Sequence, residues 1–454
     1  MSAIASVPGG SGGSSPRDGT AGGSGRSSLR DGTAGGSGKS HPLRPPPTVR
    51  DGTATPAATG YLDEVGRLLW PPPATATLAK GRSAASRAAD EVLLVLPDSR
   101  RPKLIVPAGR KAGAAAIRRY GQPGSMSTRL ATKALATLVA AGLGPVLGDR
   151  LAISRPGETP TIESVLATMV GQPVEISLHL GAARANRKPV LQLLSEAGET
   201  IGFAKIGINK LTRALVRDEQ AALVKLSEIR LTTMTVPRVL ASGCWEDLEI
   251  LVLSPLPVWE RRRPLTDAVL AEALAELARS SGTSTAPLAG SGYWHQLIVR
   301  LEQAGDGPEH DALAVLIKRL GSLAGNSKMT FGCWHGDLTP WNLANTRAGL
   351  AVWDWERFTT GVPIGFDALH YWLNARVVRP SQDPVRAATD CVGLAPMLLG
   401  GFGVSTEQAK LTALAYLADL SVRYLADRQA EAGARLGAPG RWLIPAIEAE
   451  IGGL

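Results

Sequence analysis

The sequence predicts a mixed α+β chain in which a small strand-rich part precedes a larger helical part. Three observations carry that expectation. Between residues 176 and 256, short apolar runs alternate in strand fashion and are interrupted by turn residues. Beyond Phe358 the apolar spacing becomes helical, over residues 368–377, 408–430 and 442–451. At 454 residues, with 44% apolar and 20% charged side chains, the chain has ordinary globular chemistry and room for more than one core.

In chain order, residues 1–60 are rich in Gly, Ser, Pro and Thr and contain a near-repeat. The stretch 17–25 recurs at 30–38, and 50–54 echoes it. So little apolar surface cannot offset the entropy of ordering the chain, and the segment reads as a disordered tail. Residues 61–170 read as a small α+β addition packed on the strand-rich part. Two apolar strands are expected at 92–96 and 104–106, helices at 112–120 and 128–143, and a short amphipathic helix at 61–70. The net charge of +9 is gathered upstream, since residues 61–170 hold fifteen basic against eight acidic side chains. That excess could steer an anionic partner, but a basic, soluble surface is the preferred reading. With no aromatic interleaving there, no nucleic-acid partner is expected.

The strand-rich part spans residues 171–257. Its first run, from Ile176, turns at Gly181 and resumes at Pro189. Next, Glu199-Thr-Ile-Gly-Phe-Ala-Lys-Ile206 alternates and carries Lys205, and residues 217–226 follow with helical period and Glu219 in the first turn. A buried Lys needs a carboxylate to stay charged and aimed, and Glu219 is the candidate. A strand-edge lysine and a solvated helix carboxylate are the bland alternatives. Leu248-Glu-Ile-Leu-Val-Leu-Ser-Pro-Leu256 reads as a buried strand running into a Pro-containing bend that includes Ser254.

The most informative stretch is Cys333-Trp-His-Gly-Asp-Leu-Thr-Pro-Trp-Asn342, followed by Val352-Trp-Asp-Trp-Glu356. It sets His335, Asp337, Asn342 and Asp354 in the order that phosphoryl transfer from ATP requires. Asp337 would accept a hydroxyl proton, while Asn342 and Asp354 would hold magnesium at the phosphates. His335 is expected to be structural, bonded to backbone. Glu356 is either a metal or water partner or a solvated carboxylate.

These residues resemble the aminoglycoside phosphotransferase and choline kinase superfamily. The resemblance covers roughly residues 173–424 and implies a bilobal, protein-kinase-like fold, with a β-rich lobe at 171–257 and a helical lobe at 258–454. It implies that Lys205, fixed by Glu219, positions ATP phosphates, with Gly181 and Asn186 in the phosphate-covering loop. Basic Arg184, Arg187 and Lys188 lie beside them, although an exposed basic hairpin tip explains those three as well. Ser254 and Leu256 would lie where adenine meets backbone amides, and Asp367 would brace the catalytic loop. Gly336 stands where protein kinases carry an Arg, and no Ala-Pro-Glu motif follows.

The implied activity is transfer of the ATP γ-phosphoryl group to a hydroxyl of a small molecule such as a sugar, amino sugar or amino alcohol. A nucleotide-binding pseudokinase module and a protein kinase are the alternatives. Six of the ten tryptophans lie between Trp294 and Trp372, as substrate stackers or as core. Glu302, Asp306, Glu309 and Asp311 are candidates for an acidic acceptor pocket, in a setting that reads as exposed loop. Three scattered cysteines, no leader pattern at the first residues and no membrane-length apolar run lead to the expectation of a soluble, cytoplasmic protein.

Overall fold

Apolar alternation and Gly- or Pro-marked turns fold the first half of the chain into strands. A computed structural model describes residues 56–81, 83–121, 126–144, 148–181, 184–258 and 262–453. The upstream half contains α1 (Pro56–Leu69), β1 (Thr75–Lys80), α2 (Ala84–Ala88), β2 (Glu91–Leu96), β3 (Leu104–Pro107), α3 (Arg110–Gly121), α4 (Met126–Leu138), β4 (Asp149–Ser154) and α5 (Ile162–Val170). It continues with β5 (Glu175–His179), β6 (Val190–Leu194), β7 (Thr200–Gly207), α6 (Lys210–Ser227), β8 (Met234–Thr235), β9 (Val239–Trp245) and β10 (Leu248–Leu253). The helical half contains α7 (Asp267–Arg279), β11 (Ser284–Pro287), α8 (Gly292–Glu302), α9 (Pro308–Ala324), β12 (Lys328–Trp334), β13 (Leu343–Thr346), β14 (Gly349–Val352) and β15 (Thr359–Pro363). It closes with α10 (Phe366–Val377), α11 (Pro384–Gly393), α12 (Ala395–Leu398), α13 (Thr406–Ala426) and α14 (Leu443–Ile451).

The fold is α+β, with a large antiparallel sheet in the upstream half and a mostly helical downstream half. Nine strands form one antiparallel sheet in the order β1-β4-β2-β3-β5-β6-β7-β10-β9. The upstream addition is therefore joined to the next five strands edge to edge, through the register pairs Leu104–His179 and Ile105–Leu178. The strands expected at 92–96 and 104–106 are present as β2 and β3. The sequence reading missed β1, β4 and α5, and α1 starts at Pro56, inside the segment read as tail. Most of that tail, with its repeats, lies outside the described residues. The helix expected at 128–143 stops at Leu138 and passes into a wider turn, where Gly142 takes a positive φ of 86°.

Strand periodicity divides the sheet into two faces. On one, Leu93, Val95, Ile105 and Ile153 share a core with Leu191, Ile206 and Val252 beneath α1 and α5. On the other, Leu94, Leu96, Leu104 and Val106 pack under α3 and α4, while Leu251 and Leu253 join Val216 and Leu223 of α6. Burial of a continuous face across all nine strands makes the addition part of the same hydrophobic structure as the strands downstream.

Tight geometry places α6 directly after β7. A Cβ on Gly207 would lie 2.6 Å from Cα of Arg213, so only glycine permits that approach. Asn209 then caps the helix, and Thr212 returns the bond to its backbone. The large core of the downstream half gathers Trp294, Trp334, Trp355 and Trp372 among α7–α14, so these four rings are structural and not a stacking surface. Glu302, Asp306 and Asp311 are exposed around the α8–α9 connection, and Glu309 accepts a hydrogen bond from the Gly440 amide at 2.8 Å. No helix among the described residues is long and apolar enough to cross a membrane.

Because β3 covers the edge of β5 and one apolar face runs across the whole sheet, a fragment of residues 171–454 should lose cooperative packing. Size-exclusion chromatography and thermal melting should show aggregation or a clear fall in melting temperature against residues 56–454. A monomeric fragment of equal stability would show that the addition is an independent module.

Candidate active site

Lys205 lies on β7 with its side chain on the α6 side of the sheet. Its ammonium sits 2.5 Å from both oxygens of Glu219, and 2.7 Å from Oδ1 of Asp354 in the helical half. Glu219 is fully buried and also accepts the Trp355 amide at 3.2 Å. Burial opposes the charge on Lys205, but Asp354 and Glu219 outweigh it and hold the ammonium well above its ordinary range. Burial likewise opposes ionisation of Asp354, yet Lys205 and Lys188 pull its carboxyl well below the usual carboxylate range.

The loop after β12 is fixed from beneath. Asp367, at the start of α10, accepts the amides of His335 at 2.7 Å and Gly336 at 3.2 Å, and burial pushes its carboxyl up to about 7. Gly336 has a φ of 84°, and a Cβ there would lie 2.2 Å from the Arg357 carbonyl oxygen. Both conditions demand glycine, which gives a backbone reason for the residue where the sequence departs from protein kinases. Arg423 of α13 donates to the Gly336 carbonyl. His335 donates from Nε2 to the Trp353 carbonyl at 3.1 Å and accepts the Asp337 amide on Nδ1 at 3.1 Å. That pairing requires the neutral ring, and burial lowers its pKa to about 4.

Asp337 is held at both oxygens. Oδ2 accepts from Asn342 Nδ2 at 3.0 Å, and Oδ1 faces His370 Nε2 at 3.2 Å. His370 continues through Nδ1 to the Tyr416 hydroxyl at 3.0 Å. Burial opposes ionisation of Asp337, but the His370 hydrogen bond leads the groups that bring its pKa below the ordinary value. The carboxylate is thus charged and fixed in direction, with its side chain 31% exposed. Asp354 has a φ of 73°, unusual for a residue with a Cβ, and this left-handed turn presents it to Lys205.

A second lysine enters the same cluster. Lys188, just before β6, is half-buried with its side chain turned inward, and pairs with Glu356, while Asp354 lies 3.9 Å away. Asn186 donates to the other Glu356 oxygen at 3.2 Å. Glu219, Asp354 and Glu356 can each bring a carboxylate oxygen within 4.8 Å of the others. The guanidinium of Arg119, on α3, lies 4.7 Å from the ring centroid of Phe203, two positions before Lys205 on β7. The addition therefore touches the strand that carries Lys205.

Lys205, Glu219, Asp337, Asn342, Asp354, His335 and Asp367 come together as one connected set, and Asn186 joins through Glu356. Gly181 is exposed, with no Cβ neighbour within 4 Å. Ser254 is committed elsewhere, since its amide donates to the Arg238 carbonyl at 2.8 Å and its Oγ accepts the Arg238 amide at 2.9 Å. Leu256 is buried, and its carbonyl accepts the Val258 amide at 2.7 Å. Sequence reasoning missed His370 and Arg423 and left Lys188 and Glu356 undecided. His370 carried a usable signal, standing three residues after Asp367 and so on the same side of α10.

The chain matches no protein-family model and no curated protein sequence. Among solved structures it is similar to the amicoumacin kinase hAmiN, at 13% identity over 60% of this chain and 88% of that one, with a TM-score of 0.41. It is similar to a thermostable mutant of aminoglycoside phosphotransferase APH(4)-Ia, at 13% identity over 64% and 98% of the two chains, with a TM-score of 0.42. It is also similar to choline kinase LicA from Streptococcus pneumoniae, at 14% identity over 63% and 98%, with a TM-score of 0.40.

The neutral His335 ring makes a prediction about pH. Its folded pKa is below the unfolded value of about 6.5, so its contribution is present above that pH and is lost as pH falls towards 4. The destabilisation caused by His335→Asn, measured by urea unfolding, should shrink by as much as about 3 kcal/mol between pH 7 and pH 4. A destabilisation independent of pH would mean that the ring is not held neutral.

Proposed function

We propose that the chain is a small-molecule kinase that transfers the γ-phosphoryl group of ATP to a hydroxyl. One observation carries this reading. The Lys205 ammonium bridges Glu219 and Asp354, 149 residues from Asp354 in sequence, and Asp337, fixed at both oxygens, is tied to the Asp354 hairpin by the His335 ring, which bonds the Asp337 amide and the Trp353 carbonyl. A structural ion pair needs only one carboxylate. Phosphoryl transfer needs a cation for phosphates, oxygen donors for a metal and an oriented acceptor for a proton, and all three are adjacent here.

The donor set suits magnesium, because the oxygens of Asp354 and Glu356 are hard anionic ligands within reach of one another, while Glu219 stays on Lys205. Asp354 would be the principal holder. The carbonyl end of Asn342 lies opposite the Nδ2 that bonds Asp337, and Glu356 adds a third oxygen. When bound, the ion neutralises charge on the phosphates and on the group in transfer.

The chain's own residues do the rest. Lys205, kept charged by two carboxylates, would hold the α- and β-phosphates. Lys188 and Asn186 reach over the cluster from the loop before β6 and would cover the γ-phosphoryl group. Asp337 would accept the hydroxyl proton of the acceptor. Its lowered pKa makes it a weak base, so its main service is to aim the hydroxyl in line with phosphorus and take the proton late. His370 and Asn342 keep it aimed. The acceptor class we propose is a sugar, amino sugar or amino alcohol, in keeping with the sequence resemblance.

If Asp354 is the principal magnesium ligand, millimolar Mg-ATP should raise the melting temperature of the unsubstituted chain in a thermal-shift assay. Asp354→Ala should abolish that rise. No shift with the unsubstituted chain would remove the nucleotide reading. An equal shift in the variant would remove the role given to Asp354.

A further inference from the structure

We propose that Tyr61, on α1 of the upstream addition, is a positioning residue for the nucleotide, because it anchors the segment 184–188 that carries Asn186 and Lys188. The inference rests on the reading of the acidic cluster as the Mg-ATP site. The Arg187 guanidinium carbon lies over the Tyr61 ring, 3.4 Å from its centroid. The Tyr61 hydroxyl and Arg187 Nε are both buried without a hydrogen-bond partner, so the contact is a stack of cation on ring and not a hydrogen bond. Glu64, one turn along α1, adds electrostatic attraction for Arg187.

Local chemistry explains why this contact controls its neighbours. Pro189 confines Lys188 to extended backbone, so Arg187 and Lys188 leave the segment on opposite sides, while the turn closed by the Arg187 amide on the Arg184 carbonyl at 3.1 Å places Asn186 one residue before it. Arg187 goes to α1, while Asn186 and Lys188 go to Glu356. The two attachments differ in kind. Phosphates compete for the Lys188–Glu356 pair, since an ammonium that binds phosphate must give up part of its hold on a carboxylate. The Arg187–Tyr61 stack lies on the other side and is not contested. It holds the segment in register while Lys188 changes partner, and so gives the addition a part in nucleotide binding.

The test uses the full chain with Tyr61→Leu, Tyr61→Phe and Arg187→Gln. Cleavage by trypsin after Arg184, followed by mass spectrometry, reads the anchor without reference to activity. Calorimetric titration with Mg-ATP reads its consequence. Tyr61→Leu and Arg187→Gln should each raise the cleavage rate and the Kd for Mg-ATP by roughly fivefold, and Tyr61→Phe should restore both, since the ring face is kept. Unchanged cleavage in Tyr61→Leu overturns the anchor. Faster cleavage with an unchanged Kd overturns the positioning role, as does an effect in Tyr61→Leu that Arg187→Gln does not reproduce. If the unsubstituted chain binds no Mg-ATP, the nucleotide reading itself fails, and the role of Tyr61 with it. Binding in the parent and equal binding in Tyr61→Leu overturns only the inference drawn here.

Discussion

A single buried ammonium organises this protein. Lys205 has its stem in the sheet and its charge between a helix carboxylate, Glu219, and a carboxylate from the helical half, Asp354. Water cannot solvate it there, and burial alone would drive off its proton. It stays charged because two partners are delivered from separate elements, one by the Gly207 turn and the Asn209 cap, the other by a residue with positive φ. Removing Lys205 would leave Glu219 buried and unmatched, at a cost of about 3–5 kcal/mol. The two halves are held in register by the charges that the proposed chemistry uses.

The loop after β12 is built on a different rule, backbone held from below. Asp367 takes two consecutive amides, Arg423 takes a carbonyl, and the neutral His335 ring joins two more backbone groups. None of these groups is free to reach a substrate. Their effect is to leave Asp337 one orientation, which His370 and Asn342 then fix from either side. An acceptor hydroxyl would meet a carboxylate that has already given up its rotational freedom.

What was legible in the sequence was local. The spacing from His335 through Asp337 and Asn342 to Asp354 lies on one loop and one hairpin, and Lys205 and Glu219 lie on adjacent elements. Distant pairings were not legible. Glu356 looked as much like a solvated carboxylate as a ligand, because Lys188, its partner, is 168 residues away. The join of β3 to β5 was invisible for the same reason, since an apolar strand declares that it needs cover but not which edge it seeks. By resemblance the bend at Ser254 is expected to offer backbone amides to adenine, and the partner of its amide and Oγ, Arg238, is 16 residues away and equally unreadable from the local sequence. The strand β1 alternates over residues too small and polar to stand out.

The central claim is that this cluster moves phosphorus from ATP to a hydroxyl with Asp337 as the proton acceptor. The most direct measurement is incubation of γ-18O-labelled Mg-ATP with a panel of sugars, amino sugars and amino alcohols, with products read by mass spectrometry. The account predicts a labelled phosphate monoester on one acceptor, formed about 10²–10⁴ times more slowly by Asp337→Asn. A labelled ester formed equally fast by Asp337→Asn, or label found only in free phosphate whatever the acceptor, would contradict it.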